Sequence, residues 1–455
     1  MAALSGLADA ARILAVIPTP SRSHYIWNRA LILALAKKGH QVTVLSPDAE
    51  KEPVPNLKLM FLEDSYASAH DLFVYEDLVK VGKFGSVELL WTWGIECCRQ
   101  QMDTKGAKEL LKMPPDSFDL IIMETVLSDC MYVYIHHFGG GTRKIPPLTE
   151  IGSNISLILV NNHYVINGPQ PLLPGIIEVG GMQCTPAKPL PKDITEFLDG
   201  SPKGAIFFSL GSNLRSEFLP KEKLHMIVRT FAALNPQIRV LWKFDPDTPI
   251  ENLPPNVLLR KWLQQEDVLG HPKTVLFITH GGLLSTQESI YHGVPMVGVP
   301  FFADQRTNVR RMVELKVAKE VNILTTNEGA FTEAITRVIG DEMYRQNMRR
   351  LSRLFRDHPQ TPLECAIFWT EFVLRHDKGR IESLRAPGHD LAWYQYFMLD
   401  VFAVIFMFVL ISLFVLIILI QLIYKLISKS LHSDNSSEDP KKERLVSDET
   451  FQCQS

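Results

Sequence analysis

The sequence predicts an α/β protein: two doubly wound domains with parallel sheets, followed by one membrane-crossing helix. Three observations carry that prediction. Short apolar runs alternate with helix-period segments in two separate stretches, as strands joined by crossover helices do. The length of 455 residues suits two or three domains. An apolar run without a charged residue, Val401–Tyr424, stands apart from both stretches.

Composition narrows the partners. With 47 Lys+Arg against 50 Asp+Glu the formal charge is −3, which leaves no electrostatic footprint for nucleic acid. At 46 % hydrophobic and 21 % charged residues the chain is globular. Six cysteines are too few and too scattered for a disulfide scaffold, and the adjacent Cys97-Cys98 lacks metal-ligand spacing, so no metal site is expected.

The elements follow in order. Ala8-Asp9-Ala10 resembles a small-x-small cleavage site, but Met1–Leu7 is too short for an apolar h-region, so residues 1–10 read as the remnant of a signal peptide. Arg12–Ile17 is a short strand and Pro18–Ser21 a loop. A helix follows over about Tyr25–Lys38, with Trp27, Leu31 and Leu35 on one face. Gly39 ends it and Gln41–Leu45 returns as a strand. This βαβ opening has no G-x-G-x-x-G, which argues against a dinucleotide site of the usual kind. Leu120–Met123 is a further strand.

From about Leu190 to Val373 the alternation is more regular. Ala205–Leu210, Arg239–Phe244, Val257–Leu259, Val275–Thr279, Met296–Val299 and Ala318–Ile323 read as buried strands separated by helices. Val401–Tyr424 is long enough to cross a ~30 Å hydrocarbon core, with Trp393, Tyr394 and Tyr396 placed for an aromatic belt. Lys425 and Lys429 follow it while Ala386–Asp400 holds no Lys or Arg, so the tail is expected in the cytosol and the bulk of the chain outside it. Asn154-Ile155-Ser156 is a glycosylation sequon on the luminal side.

The chemistry-bearing residues lie mostly between Trp262 and Gln305. Phe277-Ile278-Thr279 ends a strand and His280-Gly281-Gly282 turns into a helix. Glycines there admit a ligand to the backbone, and a helix start offers N–H groups to an anion such as diphosphate. His280 is placed to add a donor, and Glu288, two turns on, to accept from ribose hydroxyls. Asp304-Gln305 lies on a loop beyond a strand's C-terminal end, suited to adjacent sugar hydroxyls. Trp262 offers a flat face to a base. Singly, Gly281-Gly282 is also an ordinary turn, Trp262 a core residue and His280 a satisfied surface histidine.

Taken in order, W-L-Q-Q, F-I-T-H-G-G and E-S-I-Y-H-G-V-P-M-V-G-V-P-F-F-A-D-Q resemble the signature of the UDP-glycosyltransferase superfamily, in its insect-type, membrane-anchored form. The resemblance implies a GT-B-like fold, two Rossmann-like domains facing a cleft. It also implies that Trp262 stacks uracil and Gln265 contacts the uridine. His280 and the backbone near Gly282 would hold the diphosphate, Glu288 the ribose, and Asp304 with Gln305 the transferred sugar. Phe208-Ser209-Leu210-Gly211-Ser212 matches the family's FSLGS loop, so Ser212 faces the phosphates. Gln264 stands where a proline is common, and Leu284 removes a polar side chain from the phosphate site.

Pro20–Tyr25 resembles the segment carrying the family's catalytic histidine, here His24. A helix start beside it is expected to keep the imidazole neutral as a base. Glu124, at the end of the strand Leu120–Met123, matches the partner carboxylate that orients it. Around residues 139–147 several dozen residues usual in the family are missing, so the acceptor domain is expected to be shortened. The resulting division is an acceptor-binding domain over 11–165 and a UDP-sugar-binding domain over 166–375. A luminal segment over 376–400, the membrane helix over 401–424 and a cytosolic tail over 425–455 complete it.

The resemblance implies an inverting hexosyltransferase of the endoplasmic reticulum membrane, with luminal catalytic domains. It takes UDP-glucose or a related UDP-sugar and a small lipophilic acceptor, and needs no cofactor beyond the donor. An oligomer is open, and so is a second reading: an inactive isoform that binds UDP-sugar or a full-length partner as a regulator.

Overall fold

Uninterrupted apolar runs become strands buried on both faces, as parallel sheets require. The computed structural model describes residues 10–67, 83–126, 128–140, 145–152, 155–212, 216–376, 381, 384 and 386–434. The signal-peptide remnant up to residue 9, the sequon asparagine Asn154 and the tail beyond residue 434 lie outside these.

The N-terminal sheet holds β1 (Arg12–Val16), β2 (Gln41–Ser46), β3 (Leu57–Phe61) and β4 (Leu120–Met123), all parallel, in the order β3-β2-β1-β4. Among the described residues no strand joins it beyond β4. The next strands, β5 (Ile158–Val160) and β6 (Ile176–Glu178), pair with each other alone among the described residues. Residues 141–144, within the expected gap, lie outside the described ones.

The second sheet holds β7 (Ala205–Ser209), β8 (Arg239–Lys243), β9 (Val257–Arg260), β10 (Thr274–Thr279), β11 (Met296–Gly298) and β12 (Ala318–Glu320). Its order is β12-β11-β10-β7-β8-β9, parallel throughout. Two apolar layers cover its faces. One is built around Phe208, Trp242, Phe231 and Phe331, the other around Phe207, Phe277, Leu351 and Phe355. Phe208 and Trp242 stack at 5.1 Å between ring centroids, and Phe207 and Phe277 at 4.9 Å.

Both sheets have a point where strand order reverses: between β1 and β4 in the first, between β7 and β10 in the second. Ligands of open α/β sheets bind outside the carboxyl ends of the strands at such points.

Three expectations change. The helix expected from about Tyr25 begins at Arg22 and runs Arg22–Lys37 with Ser21 as its N-cap, so His24 sits inside its first turn. The helix Pro362–Arg375, opened by a capping box between Thr361 and Glu364, was expected in the domain 166–375. It packs on the N-terminal core instead. Ala366 is fully buried there among Ile13, Ala15, Leu31 and Leu35, because this helix supplies the apolar cover that the helix Arg22–Lys37 lacks on its outer side. Finally, Cys98 and Cys130 form a disulfide across a separation of 32 residues, where only the adjacent Cys97-Cys98 had stood out. It ties the helix Lys83–Asp103 to the 3-10 turn Asp129–Met131.

The segment from Ala386 onward is a separate unit. It contains a short helix, Trp393–Tyr396, and one 36-residue helix, Leu399–Asp434. At 1.5 Å per residue that helix is about 54 Å long. It is long and apolar enough to cross a membrane and extends past the expected 401–424 at both ends, because Lys425, Lys429 and His432 continue the same helical run.

Candidate active site

A cleft of about 2050 Å³ opens across the carboxyl ends of both sheets. It is lined by His24, Glu124, Ser212, Trp262, Gln265, His280, Gly282, Glu288, Asp304 and Gln305, so every residue singled out in the sequence faces one space.

At the first reversal point, β1 leads through Ile17–Ser21 into the helix carrying His24, and β4 ends at Glu124. His24 Nδ1 lies 2.5 Å from Glu124 Oε1. Glu124 is largely buried and the ring about one-third exposed. A carboxylate only accepts, so Nδ1 carries the proton and Nε2 holds the lone pair. The expectation of an imidazole kept from protonating by the helix start is corrected. Burial opposes the imidazolium, but the hydrogen bond and charge of Glu124, with a further contribution from Asp304, outweigh it and raise the His24 pKa above its ordinary value.

At the second reversal point the loops after β7 and β10 meet. The His280 ring lies between two glycines. A Cβ at Gly211 would come within 2.6 Å of its Cε1, and one at Gly282 within 2.5 Å of its Nε2. Gly211 also has φ +91°, which a side chain disfavours. His280 Nδ1 is buried without a hydrogen-bond partner. Burial, and then the charge of Lys243, push its pKa down to about 4, so the ring is neutral. Gly282 caps the helix Leu283–His292, whose first N–H groups open beside the ring.

Glu288 is buried in that helix. Burial, followed by the neighbouring Glu266, pushes its pKa up to about 8, while a hydrogen bond from Gln265 Nε2 at 2.6 Å pulls the other way. Gln265 Nε2 also reaches Ser285 Oγ at 3.0 Å. Gln265 and Glu288 therefore act as one bonded unit. Asp304 caps the helix Gln305–Glu314 and accepts from Asn308 Nδ2 at 2.7 Å. The loop expected at Gln305 is thus a helix start. The side-chain Oε1 of Gln305 accepts from the backbone amides of Phe301 and Phe302, which fixes the turn that presents Asp304.

The family model described as UDP-glucoronosyl and UDP-glucosyl transferase matches residues 135–432. The chain belongs to that family. It is therefore a hexosyltransferase of the UDP-glucosyl and UDP-glucuronosyl type. UDP-glucosyltransferase 2 of Dactylopius coccus is 31 % identical over 88 % of this chain and 90 % of its own. The human UDP-glucuronosyltransferase 2B15 is 41 % identical over 84 % of this chain and 88 % of its own. Among solved structures, the glycotransferase of kitacinnamycin superposes with a TM-score of 0.57 at 18 % identity, over 80 % of this chain and 99 % of its own. That likeness establishes the GT-B fold.

Within this UDP-glycosyltransferase, three cleft residues went unread in the sequence. Arg22, ion-paired to Asp48 at 2.6 Å, lies 5.8 Å from the Trp262 ring centroid and so reaches from one domain to the other. Lys243 stands 4.5 Å from the same ring. Glu266 is half-buried, and desolvation pushes its pKa up to about 7 although Thr185 donates to it twice. Arg22 and Lys243 are invisible in a linear reading because each meets Trp262 only through the fold; Glu266, directly after Gln265, had position as its one signal.

Proposed function

We propose that this UDP-glycosyltransferase moves a hexose, glucose before glucuronate, to a hydroxyl of a small lipophilic acceptor with inversion at the anomeric carbon. The observation carrying this is the His24–Glu124 bond at 2.5 Å, on the wall of the same cleft that His280, Gly282 and Glu288 line. His24 Nε2 takes the acceptor proton as the oxygen attacks, and Glu124 stabilises the imidazolium that forms. A single displacement inverts an α-linked donor to a β-glycoside.

Trp262 stacks the uracil, Gln265 and Glu288 hold the uridine, and Asp304 with Gln305 hold the sugar. Ser212, His280 and the helix start at Gly282 receive the charge developing on UDP, so the reaction needs no metal or further cofactor. Trp93, Met123, Ile135, Phe138 and Ile155 on the cleft wall support an apolar acceptor. Glucose rests on the resemblance of the Pro20–Tyr25 segment and is the finer part of the reading.

The helix Leu399–Asp434 supports a single membrane span, with the catalytic domains in the lumen of the endoplasmic reticulum. The Cys98–Cys130 disulfide favours that side, since such bonds persist in oxidising compartments.

The test is expression in microsomes with UDP-glucose or UDP-glucuronate and a panel of phenols and steroids, read by mass spectrometry beside His24→Ala. Glycoside that disappears in the variant supports the mechanism. A well-expressed protein that binds UDP and yields no glycoside would overturn it in favour of a regulatory isoform.

A further inference from the structure

The leaving UDP carries full negative charges, yet the groups placed around its phosphates so far offer only partial positive ones. His280 is neutral, a helix start is worth about half a charge, and Leu284 contributes nothing polar. A full cation stands beside them. Lys243 ends β8, next to β7 in the sheet, and lines the cleft together with Gly211, Ser212, His280 and Gly282. Its Nζ donates to the Gly211 carbonyl at 2.8 Å, on the loop whose next residue is Ser212. It lies 4.5 Å from the Trp262 ring centroid, and its charge is the one that acts on His280.

We propose that Lys243 is a diphosphate-binding residue of the donor site, supplying a full positive charge beside the Gly211-Ser212 loop and the helix start at Gly282. This rests on the reading of the cleft as the UDP-sugar site. An ammonium on a four-carbon stem has three rotatable donors and can serve the Gly211 carbonyl and a phosphate oxygen together. Its contact with Trp262 sets it at the junction of the proposed base and phosphate positions.

The experiment is calorimetric titration of the full chain in detergent with UDP and, separately, with uridine, which has the base and ribose but no phosphate. Lys243→Ala is expected to weaken UDP at least about tenfold while uridine stays within about twofold. Lys243→Arg recovers most of the UDP affinity. Added salt weakens UDP more in the wild type than in the alanine variant. Equal losses for UDP and uridine would overturn the proposal, because Lys243 would then serve only the face of Trp262. No loss for either would overturn it as well. Wild-type chain that binds neither ligand would sink the donor-site reading and this assignment with it. Lys243→Met, which keeps the stem, replaces the alanine variant if its unliganded melting temperature falls.

Discussion

His24 Nδ1 and Glu124 Oε1 lie 2.5 Å apart although 100 residues separate them in the chain. Strand β1 delivers one and its neighbour β4 the other. The pair forms because those two strands are adjacent where strand order reverses.

Removing the imidazole is expected to lower glycosyl transfer by about 10²–10⁴-fold, the usual worth of a positioned base, with UDP affinity unchanged. Glu124→Gln separates the two roles of the carboxylate. A base must be deprotonated, so the raised His24 pKa sets the acid limb of kcat/KM above the ordinary imidazole value near 6.5. Without the Glu124 charge that pKa falls, so the acid limb moves to lower pH while the plateau drops. A pH–rate profile of the variant with an unmoved limb would count against His24 as the base.

Glu288 gives a prediction of opposite sign. With its pKa pushed up to about 8 by burial, the carboxyl is mostly protonated at neutral pH in the unliganded chain. Accepting from ribose hydroxyls favours the carboxylate, so uridine binding tightens as pH rises through 8. Glu288→Gln removes that dependence. The same substitution raises stability. A carboxyl whose folded pKa exceeds its unfolded value costs stability progressively as pH climbs from the unfolded value through the folded one. The melting-temperature gain of Glu288→Gln is therefore larger at pH 8 than at pH 5, and scanning calorimetry at the two values checks it.

Gly282→Ala tests the seat of His280. The backbone at Gly282 has φ −59°, which alanine adopts freely, so the only strain is the Cβ placed 2.5 Å from Nε2 of the ring. UDP affinity is expected to fall about tenfold or more with the melting temperature nearly constant. Gly211→Ala adds a left-handed backbone to the same clash and loses stability too. Titration and thermal melts of the two variants side by side distinguish the effects.

The Cys98–Cys130 bridge closes a loop of 32 residues, for which chain entropy suggests about 3–4 kcal/mol of stabilisation. Cys98→Ser is expected to lower the melting temperature, and reductant to do the same only in the wild type. Non-reducing peptide mapping of microsomal protein would show the Cys98–Cys130 cross-link; two alkylated thiols there would contradict it.

The second sheet was largely legible in the sequence for a physical reason. Ser212, Trp262, His280 and Asp304 lie on the turns after β7, β9, β10 and β11, so recognising each strand also marks the turn that carries the residue. Apolar runs such as Ala205–Ser209 fixed those strands to within a residue. The parts missed are those made by distant packing. Nothing near Cys98 points to Cys130, and nothing in Pro362–Arg375 states which of two cores its apolar face will cover. The cation on Trp262 belongs to a neighbouring strand. The charge state of His24 turned on Glu124, whose bond outweighs both burial and a helix start.

The return of the helix Pro362–Arg375 to the first core has a consequence for biosynthesis. The buried residues of the second domain's two layers all lie between Val165 and Phe355, so that domain is complete before its successor leaves the ribosome. The first core, begun at Ala11, lacks Ala366 until almost the whole catalytic region has been made. The domain synthesised first is thus expected to finish folding last. Released chains truncated after residue 356 should protect the second domain from protease while leaving the first open, and extension to residue 376 should close it.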